Sequence, residues 1–348
     1  MHILVTGGFG NVGVRVVDEC LARGHAVTVF DVASPRAERL GRRYGRVGVR
    51  VRIGDVRRPG DLAEAVAGQD AIIHLAAILP PTSDRLPELC DAVNVGGTRN
   101  LVEAARALDP APAFVEVSSA SVMGPTQHRD GPVRPGAPVN PVDVYTRSKA
   151  AAEAVVAESG LDSCALRLAA VMPSYVGLGP VLGMIRVIYD MPLEARCEIV
   201  YDADVAHALV SAAENLRGSG EMRGRTGFIA GGAGNGCQIR IRAMFEGAFG
   251  PMGLALPRDE LFPDDLGSYY LDWYDTAEVQ SILGYQNHTF DQWNEVFTAN
   301  FRFLKPAVAA LRPVLTAAIA RLSPRFTPAR SRRAGLRAQR AVPGASAR

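Results

Sequence analysis

Tyr145 and Lys149 stand four residues apart in Tyr145-Thr146-Arg147-Ser148-Lys149, a spacing that puts a phenol and an ammonium on one helix face. A free tyrosine ionises near pH ~10 and is a poor base at neutral pH. A neighbouring ammonium favours the phenolate, which brings the side chain into range for moving a proton to or from a substrate hydroxyl. The lysine is informative in itself, because the chain holds 36 arginines and only two lysines, Lys149 and Lys305. A compact ammonium suits a ribose and a phenol better than the broad guanidinium fork. Twenty-six residues before Tyr145, Ser119 closes an apolar run and offers a hydroxyl that can hold a substrate oxygen for the phenol. Serine at a strand end also forms turns, so Ser119 takes its meaning from the other two.

A second cluster lies at 6–13, where Thr6-Gly7-Gly8-Phe9-Gly10-Asn11-Val12-Gly13 follows an apolar run and leads into a helical pattern. Gly7, Gly10 and Gly13 permit a tight turn, close backbone approach to a pyrophosphate, and close packing of helix on strand. The helix N-terminus then offers N–H groups and positive dipole to the phosphates. Asp31 ends the next apolar run, 18 residues after Gly13. A carboxylate there accepts hydrogen bonds from both ribose hydroxyls and repels a 2′-phosphate, which favours NAD over NADP. Arg36, five residues on, is the group that would speak for NADP.

The elements that must position these groups read as an α/β alternation. Apolar runs at 2–6, 26–30, 49–53, 71–75, 113–118 and 163–168 are separated by helix-like segments at 12–23, 61–67, 96–108 and 145–159. Continuous apolarity in the runs fits a parallel sheet covered on both faces. The loop at 123–144 holds five prolines, which no helix or central strand would tolerate. These patterns divide the chain into a dinucleotide-binding domain at 1–170, rejoined by 204–231, and a substrate lobe at 171–203 and 232–295. An apolar and basic helical segment at 296–322 and a basic, disordered tail at 323–348 complete it.

Composition narrows the classes. Apolar residues make up 48% of the 348 and charged residues 21%, which excludes wholesale disorder. Five scattered cysteines, none in a C-x-x-C pair, exclude a disulfide scaffold and a structural zinc site, and read as reduced, buried thiols. Met1 leads straight into an apolar strand with no basic leader, so the expected location is cytoplasmic. The apolar stretch 307–320 is interrupted by Arg312 and Pro313 and is expected to fall short of a membrane span. From 296 onward there are eleven basic residues and no acid, leaving 27 basic against 36 acidic residues over 1–295. A helix packed on the body with a solvated tail is the favoured reading there. Peripheral contact with anionic membrane is the alternative, and nucleic acid is not expected as a partner.

Several ordered motifs carry a family resemblance: TGGFGNVG at 6–13, Asp31, Gly54-Asp55-Val56, His74-Leu75-Ala76-Ala77, Asn94-Val95-Gly96-Gly97-Thr98, SSASVMG at 118–124 and YTRSK at 145–149. Over roughly 1–295 the chain resembles the extended short-chain dehydrogenase/reductase family, in its NAD-dependent epimerase/dehydratase branch. The resemblance implies a Rossmann-type doubly wound parallel sheet with a smaller C-terminal substrate lobe, a small-molecule substrate and a homodimer. It implies Ser119, Tyr145 and Lys149 as the catalytic triad. Gly7, Gly10, Gly13, Asp31, Asp55 (adenine edge), Ala76 and Lys149 (nicotinamide ribose) follow as cofactor contacts, with no metal. Asn94 reads as structural or part of a relay, and His74 as a packed, hydrogen-bonded histidine.

Two departures bear on the substrate. Ser119-Ala120-Ser121 lacks the Thr-Asp-Glu that drives water loss in the dehydratases. Leu168-Ala169-Ala170-Val171-Met172 lacks the asparagine usual in sugar-nucleotide enzymes. The apolar stretch 176–189 could line a greasy pocket, and Arg186, Arg196, Arg240 and Arg242 could hold a phosphate. The expected function is NAD-dependent, reversible hydride transfer at a secondary alcohol or ketone. Epimerisation through a bound ketone is the alternative, and a non-catalytic NAD-binding sensor is the reading from another class.

Overall fold

The structure, a computed structural model, describes residues 1–174 and 188–326. The alternation begins with β1 (His2–Thr6), α1 (Asn11–Ala22), β2 (Ala26–Asp31), α2 (Pro35–Gly45), β3 (Arg50–Ile53), α3 (Pro59–Val66) and β4 (Ala71–His74). It continues through short helices α4 (Thr82–Arg85) and α5 (Pro87–Asp91), and a π-helical turn at Ala92–Gly97 runs into α6 (Thr98–Arg106). Then come β5 (Ala113–Ser119), α7 (Val144–Ala157), β6 (Ser163–Leu168), β7 (Ala170–Met172), β8 (Arg196–Tyr201), α8 (Asp202–Arg217), β9 (Thr226–Ile229) and β10 (Gln238–Arg240). The last helices are α9 (Ile241–Phe249), α10 (Ala277–Leu283), α11 (Phe290–Asn300) and α12 (Lys305–Arg321).

Seven strands pair in the order β3-β2-β1-β4-β5-β6-β9, every pair parallel. Side-chain alternation buries both faces of this sheet, giving the doubly wound α/β sandwich. Ile3, Val5 and Ile73 enter one core with Val16, Val17 and Leu209, while Leu4, Ile72 and Phe114 enter the other with Leu62, Leu101 and Val102. The strand order reverses between β1 and β4, and the crevice beyond their C-terminal ends is where such sheets bind ligands. Gly7 and Ala76 meet at that point.

A second sheet of three strands, β10-β8-β7, anchors the smaller lobe, whose core includes Tyr189, Phe245, Phe262, Trp293 and Phe297. Within the stretch 232–295, expected in the substrate lobe, Tyr274, Val279, Leu283 and Tyr285 sit in the main core. A Cβ on Gly227 of β9 would lie 2.2 Å from a Val279 methyl, so the absence of one lets α10 press onto the sheet. The proline-rich loop at 123–144 holds itself to the same region through Val133, whose N–H donates to the Trp273 carbonyl at 2.7 Å.

The C-terminal segment departs from expectation too. Arg302–Arg321 has a mean hydropathy of 1.4 and is, by length and composition alone, apolar enough to cross a membrane, despite Arg312 and Pro313. None of that window is buried. The stretch 176–189 lies mostly outside the described residues, as do Arg186 and the tail from 327.

Candidate active site

The turn after β1 is built for close approach. Gly7 has φ +64°, and a Cβ there would lie 2.8 Å from the Ala76 amide. A Cβ on Gly13 would lie 2.4 Å from the Gly7 carbonyl oxygen, so any larger residue forces helix and loop apart. Gly10 is the N-cap of α1 and brings no capping side chain, so the first amides of the helix keep their donors for a ligand. Such a glycine cradle, which side chains would fill, fits the pyrophosphate of a dinucleotide.

Asp31 stands at the far side of the turn. Its two carboxylate oxygens accept the Phe9 and Val32 N–H groups at 2.9 and 2.8 Å, which fixes the carboxylate and leaves lone pairs facing the crevice. Burial raises its pKa, against these hydrogen bonds and the Arg36 charge. Arg36 donates to the Phe9 carbonyl at 2.6 Å and does not line the crevice, so it supports the loop. Asp55, after β3, lines the crevice with its carboxylate held by Arg57, which lowers its pKa.

The catalytic candidates come from β5 and α7. Asp143 caps α7 by accepting the Thr146 N–H at 2.7 Å, while the Thr146 hydroxyl accepts the Asp143 N–H at 3.0 Å. This box sets where the helix starts and therefore where Tyr145 sits, in its first turn. Lys149 follows one turn later. Ser119 ends β5, and its hydroxyl shares a 2.7 Å hydrogen bond with Ser121. Ser119, Tyr145 and Lys149 line one cavity of about 710 Å³ together with Gly7, Gly10 and Gly13. Asp31, Asp55 and Ala76 line it as well.

One residue of this centre is not foreseen from the sequence. Glu116, fully buried on β5, accepts from the Lys149 ammonium at 2.7 Å. Its other oxygen is buried without a hydrogen-bond partner among the described residues. Burial alone would push the Lys149 pKa down, but the Glu116 carboxylate, together with Tyr145 and Glu153, more than offsets this and keeps the ammonium charged. The signal was present as a lone acid inside the apolar run Ala113-Phe114-Val115-Glu116-Val117, since a buried carboxylate needs a partner.

Burial also changes the expectation for Tyr145. It raises the phenol pKa by more than Lys149 and the Ser119 hydroxyl lower it, and Glu116 adds a smaller contribution in the same direction as burial. The unliganded site therefore holds a protonated phenol, ready to donate. His74 is buried between Thr6 (2.6 Å) and Thr98 (3.0 Å), its pKa pushed down to about 3 by burial, and it stays neutral. Asn94 joins Ile78 to Ser148 of α7 and has a positioning role.

Beyond the triad the cavity wall is aliphatic, with Leu75, Ile78, Leu79, Leu89, Val93 and Val171 among its residues. Among the described residues its cations are Lys149 and Arg57. Of the arginines suggested as phosphate holders, the three among the described residues are engaged elsewhere. Arg196 pairs with Asp272 at 2.7 Å, Arg242 pairs with Glu194 and Asp259, and Arg240 donates to the Glu194 carbonyl. None of these three lines the cavity.

Residues 3–223 match the NAD dependent epimerase/dehydratase family, well over half of the chain. The chain belongs to that family. A 3-beta-hydroxysteroid dehydrogenase from Mycolicibacterium neoaurum is 30% identical over 252 residues, 66% of this chain and 66% of that protein. A 3 beta-hydroxysteroid dehydrogenase/Delta 5-->4-isomerase from Mycobacterium tuberculosis is 32% identical over 253 residues, 66% of this chain and 64% of its own length. The chain thus spans just under two thirds of these relatives. In fold it resembles the UDP-glucose-4-epimerase from Stenotrophomonas maltophila solved with bound NAD and formylated UDP-arabinopyranose. The TM-score is 0.71 and the identity 22%, over 88% of this chain and 99% of the other.

Proposed function

We propose that this family member is an NAD-dependent oxidoreductase acting on the secondary alcohol, or the corresponding ketone, of an apolar ring substrate. The observation that carries this is one cavity in which the glycine cradle, the Tyr145–Lys149 pair and an aliphatic wall converge. The steroid substrates named for the two relatives agree with that wall. A nucleoside diphosphate sugar would ask for cations that, among the described residues, the substrate end lacks.

Bound NAD supplies the hydride acceptor or, when reduced, the donor. The chain's own residues manage the proton. In reduction the Tyr145 phenol donates to the developing alkoxide, and in oxidation its phenolate takes the hydroxyl proton. Ser119 holds the substrate oxygen beside the phenol, and Lys149 stabilises the phenolate and reaches the nicotinamide ribose. Asp31 would accept hydrogen bonds from the adenosine ribose hydroxyls and Asp55 would hold the adenine edge, while Gly7, Gly10, Gly13 and Ala76 would leave room for the pyrophosphate. A homodimer working in the cytoplasm completes the proposal, and the five cysteines, all buried and unpaired, agree with a reducing compartment.

The decisive experiment mixes purified protein with NAD and a panel of hydroxysteroids, other apolar cyclic alcohols and UDP-hexoses, following NADH absorbance. NADH formation with the apolar alcohols is expected. Desalted protein is denatured in parallel and its supernatant assayed for dinucleotide. An epimerase must return the same hydride and gains from retaining its cofactor, whereas a dehydrogenase must exchange it each turnover. Near-stoichiometric retained NAD, with no net NADH from any alcohol, would overturn this reading in favour of epimerisation.

A further inference from the structure

Helix α12 is less covered than a core helix and more apolar than a surface one. The lobe holds it by one edge. Leu304, Ile319 and Ala320 pack against the lobe core, the Tyr189 hydroxyl donates to the Ile319 carbonyl at 2.8 Å, and Ser323 donates to the Leu261 carbonyl at 2.7 Å. The adjoining face carries Phe303, Leu311 and Val314, which are 72%, 52% and 65% exposed. Phe303 stands in the 3₁₀ turn that leads into the helix. At 100° per residue Leu311 and Val314 are about 60° apart with Ala307 and Ala318 between them, and Arg321 falls beside Val314 at the helix end. Lys305 and Arg312 lie on the opposite side.

Charge decides what can cover such a face. From 296 onward the chain has eleven basic residues and no acid, while residues 1–295 carry a net charge of −9. A second copy laid face to face would bring like charge against like charge. A nucleic acid would satisfy the arginines through its phosphates but leave the apolar stripe in water. An anionic bilayer satisfies both, with acyl chains for the stripe and headgroups for the cations. Beside the helix, a groove of about 430 Å³ repeats this combination, with Leu256, Pro257, Leu261 and Pro313 as its wall and Arg258 and Arg312 among its lining residues.

We propose that α12 docks flat on an anionic lipid surface, its Phe303–Leu311–Val314 face in the acyl boundary and its basic residues among the headgroups. Its contacts with the lobe hold it parallel to the surface. The inference rests on the helix and its charge pattern and is independent of the proposed reaction.

The test is co-sedimentation of the full chain with vesicles of phosphatidylcholine, with and without phosphatidylglycerol, at low and high salt. Wild type is expected to sediment with the anionic vesicles at low salt and to be largely released at high salt. Leu311→Ser/Val314→Ser, two exposed positions changed without altering charge, should lower partitioning at least tenfold while the far-ultraviolet circular dichroism stays unchanged. Wild type remaining in the supernatant would overturn the proposal, as would undiminished binding of the double variant, which would indicate attraction by charge alone. A dimer in size-exclusion chromatography that the double variant converts to monomer would overturn it in favour of a second copy. Retention of bound protein after alkaline carbonate washing would overturn flat docking in favour of a span.

Discussion

Replacing Glu116 by glutamine tests the electrostatics of the centre directly. The amide keeps the shape and an acceptor oxygen 2.7 Å from the Lys149 ammonium but removes the negative charge. Two effects follow. An uncompensated ammonium is left in a fully buried position, and breaking such a pair costs up to ~3–5 kcal/mol, read as a lowered midpoint in urea unfolding. The second effect falls on Tyr145, whose phenolate is disfavoured by Glu116 and favoured by Lys149. A unit charge ~6–10 Å from a titrating group contributes roughly 2–3 kcal/mol at an effective dielectric of ~20. Removing a negative charge stabilises the phenolate, so the Tyr145 pKa falls, by roughly 1.5–2 pH units. The assay needs no substrate: tyrosinate difference absorbance is recorded for wild type against Tyr145→Phe, and for Glu116→Gln against the double variant. The difference isolates Tyr145 from the other eight tyrosines. An unchanged or raised midpoint in the glutamine background would refute the reasoning, because Glu116 would then not reach the phenol.

Tyr145→Phe should cut turnover by ~10²–10⁴, the usual scale for a lost acid–base group, with dinucleotide affinity by calorimetry nearly unchanged. More than about a tenth of wild-type turnover would remove Tyr145 from the chemistry. Asp31→Asn should weaken NAD binding by roughly tenfold or more, since hydrogen bonds to a charged acceptor are worth ~1.5–3 kcal/mol, and relax discrimination against NADP. Tighter NADP than NAD binding by wild type would transfer the role to Arg36. Gly13→Ala should lower both stability, by about 1–3 kcal/mol, and dinucleotide affinity, because its Cβ would meet the Gly7 carbonyl at 2.4 Å. Unchanged thermal melting and binding would show that the cradle is looser than drawn.

What could be read from the sequence was whatever chemistry is encoded at short range. The glycine turn, Asp31 at a strand end and the four-residue step from Tyr145 to Lys149 each need only local spacing, and all line one cavity. Features that depend on distant packing were hidden. Glu116 finds its partner 33 residues away across a sheet–helix interface. Helix α2 is mostly polar and buries only Ala37 and Tyr44 in eleven residues, so no apolar run announces it. Residues 274–285 look like lobe sequence until Gly227 opens a place for α10 against β9. The direction of the Tyr145 shift required knowing how deeply the phenol is buried, which no spacing reveals.

The same distinction explains how the glycine turn after β1 and the Tyr145–Lys149 pair on α7 share one frame. A run of buried hydrogen bonds connects them. Thr6, at the end of β1, bonds His74 at 2.6 Å, and His74 bonds Thr98 at 3.0 Å. Thr98 donates to the Asn94 carbonyl at 2.6 Å, and the Asn94 amide donates to the Ser148 hydroxyl at 2.9 Å. Ser148 in turn donates to the Tyr145 carbonyl at 2.7 Å, within the turn that carries both Tyr145 and Lys149. Each bond adds only about 1 kcal/mol to stability. Their larger effect is geometric, because a misplacement of ~1 Å between reacting groups can cost ~10²-fold in rate. His74 remains neutral down to about pH 3, so protonation does not open the run across the range in which the phenol works. A histidine that could be mistaken for a base is instead the link that ties β1 and its glycine turn to the network behind the helix carrying Tyr145 and Lys149.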